Sequence, residues 1–204
     1  LVESNLATTA GTCAIMGTAS TMAIMADVLG VLLPNTSSIP AVHADRLRAA
    51  EDTGSLAANL AIKKNILPQK MITKKSFDNA LRILLAISGS TNAIIHLTAI
   101  ARRIGINISL KEINKISDET PVLVNLKPVG EGYMEDFNAS GGLNSVLMEL
   151  KNQLHLDTID ITGKTLKQRL QNLKINYVDK SIIFPKTKPV YKEGGLIALH
   201  GSLA

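Results

Sequence analysis

Sulfur and aromatic rings are scarce in this sequence. One cysteine, Cys13, stands among 204 residues, Trp is absent, and aromatic residues make up only 3%. A single cysteine excludes an intramolecular disulfide framework and fits a reducing compartment. With so few rings, the core must be aliphatic, built from Ile, Leu, Val, Ala and Met, and the 46% of apolar residues is enough for a substantial one. Long hydrophobic runs are missing too. None reaches the ~18 residues of a membrane span. The richest stretch, ALRILLAISGSTNAIIHLTAIARR, is broken by Arg82 and by Ser88 to Asn92. The opening LVESNLATTAG lacks both Met and a basic start, so no secretory signal is visible. We expect a cytoplasmic protein, or an organellar one in a eukaryote, with no membrane partner. The last residues, GGLIALHGSLA, stop inside an apolar run, and we expect a fragment of a longer chain.

The net charge is +5, from 22 basic and 17 acidic residues. The excess lies late in the chain, where Lys151, Lys164, Lys167, Arg169, Lys174, Lys180, Lys186, Lys188 and Lys192 face only Asp157, Asp160 and Asp179. These lysines are scattered and carry no interleaved aromatics for base stacking, so they read as a solvated face rather than a nucleic-acid surface.

Periodicity gives the element order. Thr18 to Leu29 reads as a buried helix that Gly30 can stop. PAVHADRLRAAEDTGSLAANLAIKKN reads as one long helix or two short ones, with Pro40 in the first turn and Ala41, Ala44 and Leu47 at helical spacing. KKSFDNALRILLAIS is a helix with Ser76 as N-cap. A further helix, capped by Ser90 or Thr91, runs to Arg103 and ends at Gly105; it is apolar nearly all round and should be mostly buried. LKEINKIS, Leu143 to Leu154 and TLKQRLQNL are helical; PVLVNLKP, LDTIDIT, SIIFP and GLIAL read as strands. The expected fold class is α/β: a layered α/β body over residues 1–154, then a linker and the start of a β-barrel-like second domain over 155–204.

Two stretches can carry chemistry. GTC ahead of a helix puts the Cys13 sulfur near backbone N–H groups and the positive helix end, which favours thiolate, the form that attacks or binds metal. A nucleophile needs a positioned His, and His43, His96, His155 and His200 stand at no recognisable spacing. A metal site needs more donors than this sequence offers. Cys13 therefore stays open between buried packing, nucleophile and ligand. In SGSTNAIIH, the polar turn opens a helix whose free N–H groups can receive an anion such as a carboxylate, and Asn92 and His96, four apart, share a face. Ser90, Thr91, Asn92 and His96 are the candidates; the plain alternative is a capped helix with a satisfied core histidine. TGKT, Thr162 to Thr165, lacks the Gly five positions before Gly163 that a phosphate loop needs, and reads as a strand-to-helix turn. Glu135 and Asp136 are adjacent and so diverge; they suit a first helical turn. HADR, His43 to Arg46, reads as a solvated helical face.

Six ordered blocks carry a resemblance: GTCAIMGTASTMAIMADVLGVLLP, SSIPAVHADR, ISGSTNAIIHLTAIARRIGI, TPVLVNLKPVGEGYMEDFNASGGL, DITGKTL and EGGLIALHGSLA. Together they resemble the dihydroxy-acid, 6-phosphogluconate and sugar-acid dehydratases, from Gly11 to Ala204. The resemblance implies a hydro-lyase that takes water from a 2,3-dihydroxy carboxylic acid to leave a 2-keto acid, in amino-acid biosynthesis or sugar-acid catabolism. It implies an iron–sulfur cluster, [2Fe–2S] in many members, a Mg²⁺ ion, and a homodimer or homotetramer. Cys13 matches the third cysteine of the family, a cluster ligand. The other two cysteines and most Mg²⁺ ligands fall before Leu1 in the family pattern, and a further glutamate ligand and the serine base fall after Ala204. No catalytic residue is carried onto this chain, and the 204 residues alone should be inactive. LPNTSSIPA is closer to the sugar-acid branch and HADR to the branched-chain one; the family's usual Gly is Asn35 here, and its L-R-G-N-L-A appears as LHGSLA. A reading from another class is a non-catalytic binding or scaffold protein derived from this family.

Overall fold

The computed structural model describes residues 10–63 and 66–202. Parts of three stretches quoted above lie outside them: the first residues of the chain, Lys64 and Asn65 at the end of the expected long helix, and the last two residues of GGLIALHGSLA.

The helices are α1 (Thr18–Val28), α2 (Ala44–Lys63), α3 (Pro68–Met71), α4 (Lys74–Ala86), α5 (Asn92–Arg103), α6 (Leu110–Asp118), α7 (Met134–Ala139), α8 (Gly142–Leu150, continued by a 3₁₀ turn over Lys151–Gln153) and α9 (Leu166–Gln171). The core is built around α4, whose Phe77, Ala80, Leu81, Ile83, Leu84, Leu85 and Ala86 are buried. It contacts α1, α5, α6 and α8. The N-cap of α4 is Thr73, with Ser76 at the third position closing a reciprocal capping box, so the cap lies three residues earlier than the sequence suggests.

Two other expectations, the place of Pro40 and the burial of α5, are corrected. Pro40 precedes α2 by a turn instead of opening it. In α2 Leu47 is 76% and Ile62 80% exposed, and Ala49 is buried. Helix α5 buries one narrow stripe, Ala93, Leu97 and Ala101, while Ile95 is 68% exposed. It lies at the rim, where α1 and α4 cover a single face. Glu135 and Asp136 do stand in the first turn of α7.

Among the described residues, β-structure consists of isolated bridges. The extended run from Pro121 to Leu126 donates from Leu123 N to Ala86 O (2.8 Å) and bridges antiparallel to Tyr191 through Val122 and to Ile183 through Val124. LDTIDIT contributes one bridge, Ile159 to Thr165. The described residues are thus helix-rich with few strand pairs, compatible with an α/β body, and do not show the barrel-like second unit. Residues 155–202 make contacts with the body. The Asn79 side chain pairs with both backbone groups of His155 (2.9 and 2.8 Å), and Ile161 N donates to Gly30 O (2.8 Å).

Candidate functional site

Cys13 sits in the loop before α1 and is exposed, which removes the packing reading. The loop is held by its backbone: Met134 N donates to Ala14 O (2.8 Å) and Met16 N to Lys127 O (2.9 Å). Lys127 pairs with the Tyr133 hydroxyl, its ammonium 4.2 Å from the ring centre. The PVLVNLKPVGEGY block therefore flanks the cysteine loop. Among the described residues, Cys13 makes no hydrogen bond to any histidine, so the nucleophile reading lacks its base.

The second candidate stretch meets the first at the start of α1. Thr18 Oγ1 lies 2.9 Å from Ser90 Oγ and accepts from Asn92 Nδ2 at 3.0 Å. Asn92 N donates to Ser90 Oγ (3.3 Å), which closes a small ring of polar groups. Ser90 N donates to Thr21 Oγ1 at 3.1 Å. This closeness demands Gly89: a β-carbon there would stand 2.7 Å from Leu84 Cδ1 and 2.8 Å from Thr21 Cγ2. On the far side, Gly195 lies against Ser88, where a β-carbon would meet Ser88 Oγ at 2.4 Å. The SGSTN turn is thus clasped between α1 and the EGGL block. Thr91, Asn92 and His96 are exposed and Ser90 is half-buried, so His96 is not a core histidine. The amino ends of α1 and α5, both positive by the helix dipole, share this corner.

His43 to Arg46 stand at the start of α2, where Asp45 and Arg48 form an exposed ion pair. His155 lies 3.7 Å from Asp78, and His200 3.5 Å from Asn114. TGKT is a turn: Gly163 has φ +80° and Thr165 caps α9.

Residues 1–169 match the profile of the dihydroxy-acid/6-phosphogluconate dehydratase N-terminal family. The chain belongs to this family. It is 39% identical over 197 residues to a dihydroxy-acid dehydratase of Methanosarcina barkeri, covering 96% of the chain and 35% of that protein. It is 39% identical over 205 residues to that of Caldanaerobacter subterraneus (100% of the chain, 36% of the relative). It is 40% identical over 207 residues to that of Sulfurisphaera tokodaii (100% and 37%). The chain spans a little over a third of the length of these relatives.

The iron–sulfur cluster that the resemblance implies would ask for thiolate donors. Cys13 fits as one of them, as an exposed soft donor. It fits as one only. Among the described residues no three His, Cys, Asp or Glu side chains group as a metal site.

Two features escaped the sequence reading. The first is Thr18, an unremarked residue in an apolar helix, which turns out to join both candidate stretches. The second is a buried ion pair at the other end of α1. Asp27 Oδ1 accepts from Arg169 Nη1 at 2.6 Å, with side-chain exposures of 0% and 7%. Ser37 Oγ donates to Asp27 Oδ2 (2.8 Å), and Arg169 Nη2 reaches Asn144 (2.9 Å) and Asn35 (3.2 Å). Burial pushes the Asp27 carboxyl above its ordinary range, against the opposing pull of Arg169 and Ser37. A cavity of about 20 Å³ and an open cleft of about 280 Å³ adjoin Arg169. They lie at the carboxyl end of α1, away from Cys13. Asn35 has φ 72°, a left-handed conformation that Gly takes freely and Asn tolerates, which accounts for the exchange of the family's usual Gly.

Proposed function

We propose that this chain supplies part of a hydro-lyase that converts a 2,3-dihydroxy carboxylic acid, a branched dihydroxy acid or a sugar acid, to a 2-keto acid. The observation that carries the reading is the hydrogen-bonded corner where the Cys13 loop, the start of α1 and the SGSTN turn meet. Cys13 acts as one thiolate ligand of an iron–sulfur cluster, [2Fe–2S], in an enzyme that also binds Mg²⁺. When bound, such a cluster supplies a Lewis-acidic iron for the C3 hydroxyl, a poor leaving group, while Mg²⁺ holds the carboxylate end.

The residues of this chain act by binding and orientation. The amino end of α5 favours a substrate carboxylate, because the helix dipole places positive potential there. Thr91 offers an exposed hydroxyl at that end, and Ser90 and Asn92 hold the turn to α1. His96, one turn along the same face as Asn92, lines the approach. The base that takes the C2 proton is not assigned to this chain, and residues 1–204 by themselves are inactive. The full protein is a homodimer or homotetramer with a small-molecule substrate, cytoplasmic or, in a eukaryote, organellar. Residues 155–204 begin its barrel-like second unit.

The test is a turnover assay on the full-length protein, purified without air. A panel of sugar acids and branched dihydroxy acids is offered, and 2-keto acid is measured. Turnover of one of these classes is expected. Absence of keto acid from the whole panel, at full iron loading, contradicts the reading.

A further inference from the structure

The open cleft of about 280 Å³ at the carboxyl end of α1 takes no part in the proposed reaction, and its lining is rich in hydrogen-bond donors. Arg169 lines both this cleft and the cavity of about 20 Å³ beside it, and its side chain is 7% exposed. Nη1 bonds Asp27, and Nη2 bonds Asn35 and Asn144, yet Nε is buried and finds no acceptor among the described residues. A buried donor without a protein acceptor is rare and calls for a partner from outside the chain. The neighbouring groups point to the same kind of partner. The Asn35 amide commits its oxygen to Arg169 (3.2 Å), and the Gln168 amide commits its oxygen to Thr165 N (2.9 Å). Among the described residues, each keeps its NH₂ group unbonded. Lys164 stands in the turn before α9, where Gly163 has φ +80°, and among the described residues its ammonium has no ion-pair partner. Against these donors the lining sets one carboxylate, Asp160, whose Oδ1 already accepts from Thr162 N (2.8 Å) and from the Thr162 hydroxyl. Asp27, the counter-charge of Arg169, is fully buried and does not line the cleft.

We infer that this cleft binds a small oxyanion, a carboxylate or phosphate group, between Lys164, Gln168, Asn35 and Arg169. The Lys164 ammonium supplies a point charge, and the two amides supply directed N–H groups. The cleft lies just below the roughly 300 Å³ at which small-molecule sites begin, so it suits a ligand of few heavy atoms. Asn35 follows α1, whereas Lys164 and Gln168 belong to the turn and helix of α9. The ligand therefore adds a link between two segments far apart in the chain, and by mass action it stabilises their junction. This site is separate from the Cys13 corner and does not depend on the hydro-lyase reading.

The experiment uses the full-length protein, purified without air, and reads amide hydrogen exchange by mass spectrometry over residues 31–36 and 160–173. Inorganic phosphate and malonate are the probes. Each is compared with sodium chloride at the same ionic strength, because screening alone also alters surface electrostatics. Phosphate, malonate or both are expected to slow exchange in these two segments, in a saturable way. Slowing by phosphate alone assigns a phosphoryl ligand, by malonate alone a carboxylate, and by both an oxyanion site of either kind. Anion binding elsewhere in the protein would not single out these segments. Lys164→Met should raise the half-saturating concentration on the order of 10-fold, as the loss of a hydrogen bond to a charged group does. Lys164→Arg should keep most of the affinity. Lys167→Met, on the same exposed side of α9 but outside the cleft lining, should match the parent. Lys164 is exposed and bonds nothing through its ammonium, so its variants report binding and not folding. Slowing no greater than that of chloride with both probes overturns the inference. Unchanged affinity in Lys164→Met, or equal losses in Lys164→Met and Lys167→Met, overturns it as well. Turnover and iron content are not read, so failure here leaves the hydro-lyase reading standing, and failure of that reading leaves this site standing.

Discussion

Asp27 and Arg169 bury opposite charges between α1 and α9, 142 positions apart in the chain. Such a pair is a weak source of net stability, but leaving one member without the other is costly. Arg169→Met should therefore lower stability by about 3–5 kcal/mol, seen as a lower denaturation midpoint at unchanged slope. The Asp27→Asn, Arg169→Met double variant should lose less than the sum of the single losses, since neither charge is left alone. Equal, additive losses would mean that the two side chains do not depend on each other. None of this was legible in the sequence. Asp27 stood in an apolar helix and Arg169 in a short amphipathic one, and nothing in local spacing joins them. Cys13 shows the same limit from the other side: composition left it open, and only its exposure narrowed it.

At the scale of elements, helices with a strong apolar face or a clear stop were read well. α1 ends one residue before the expected Leu29, and α6 and α9 have the capped starts that Ser109 and Thr165 supply. The misreading by apolar pattern is α5, expected to be mostly buried, which buries only Ala93, Leu97 and Ala101. The helical spacing of Ala44 and Leu47 marks α2 correctly as a helix, but little of it is covered. Its stability is then mostly its own, and Gly54, with nothing within 4 Å of an added β-carbon, weakens it. Gly54→Ala should raise stability by about 0.5–1 kcal/mol, measured by thermal or chemical denaturation; a loss would mean that something packs on that face. Gly30 is the contrasting case. Its φ is +84°, and a β-carbon would stand 2.6 Å from Ile159 O, a backbone atom that cannot turn away. Gly30→Ala should destabilise by about 1–3 kcal/mol and speed hydrogen exchange at Ile161, whose amide bonds Gly30 O. Unchanged protection at Ile161 would show that the strap over 155–171 is held by other contacts. Strands were the least legible elements. PVLVNL is extended and bridged as expected, but the partners of SIIFP and the run near Tyr191 are single bridges on it rather than a sheet.

For the molecule as a whole, four of the six sequence blocks meet near the start of α1, while DITGKTL lies at its other end against Gly30. The cysteine loop is flanked by Lys127 to Met134, Gly11 lies against Ala41, the SGSTN turn sits on α1, and Gly195 covers Ser88. Blocks separated by tens to more than a hundred residues thus meet around one corner. Sequence spacing cannot show this, because the contacts are made by loops and helix ends whose positions depend on how α1 and α4 pack. The account's central claim is that this corner holds a cluster through Cys13. It is tested most directly by iron and acid-labile sulfide analysis of full-length protein, purified without air, with Cys13 intact and with Cys13→Ser. The account predicts iron and sulfide in equal amounts in the parent and their loss in the variant, with the helical circular dichroism retained. Equal iron and sulfide in both proteins would contradict it.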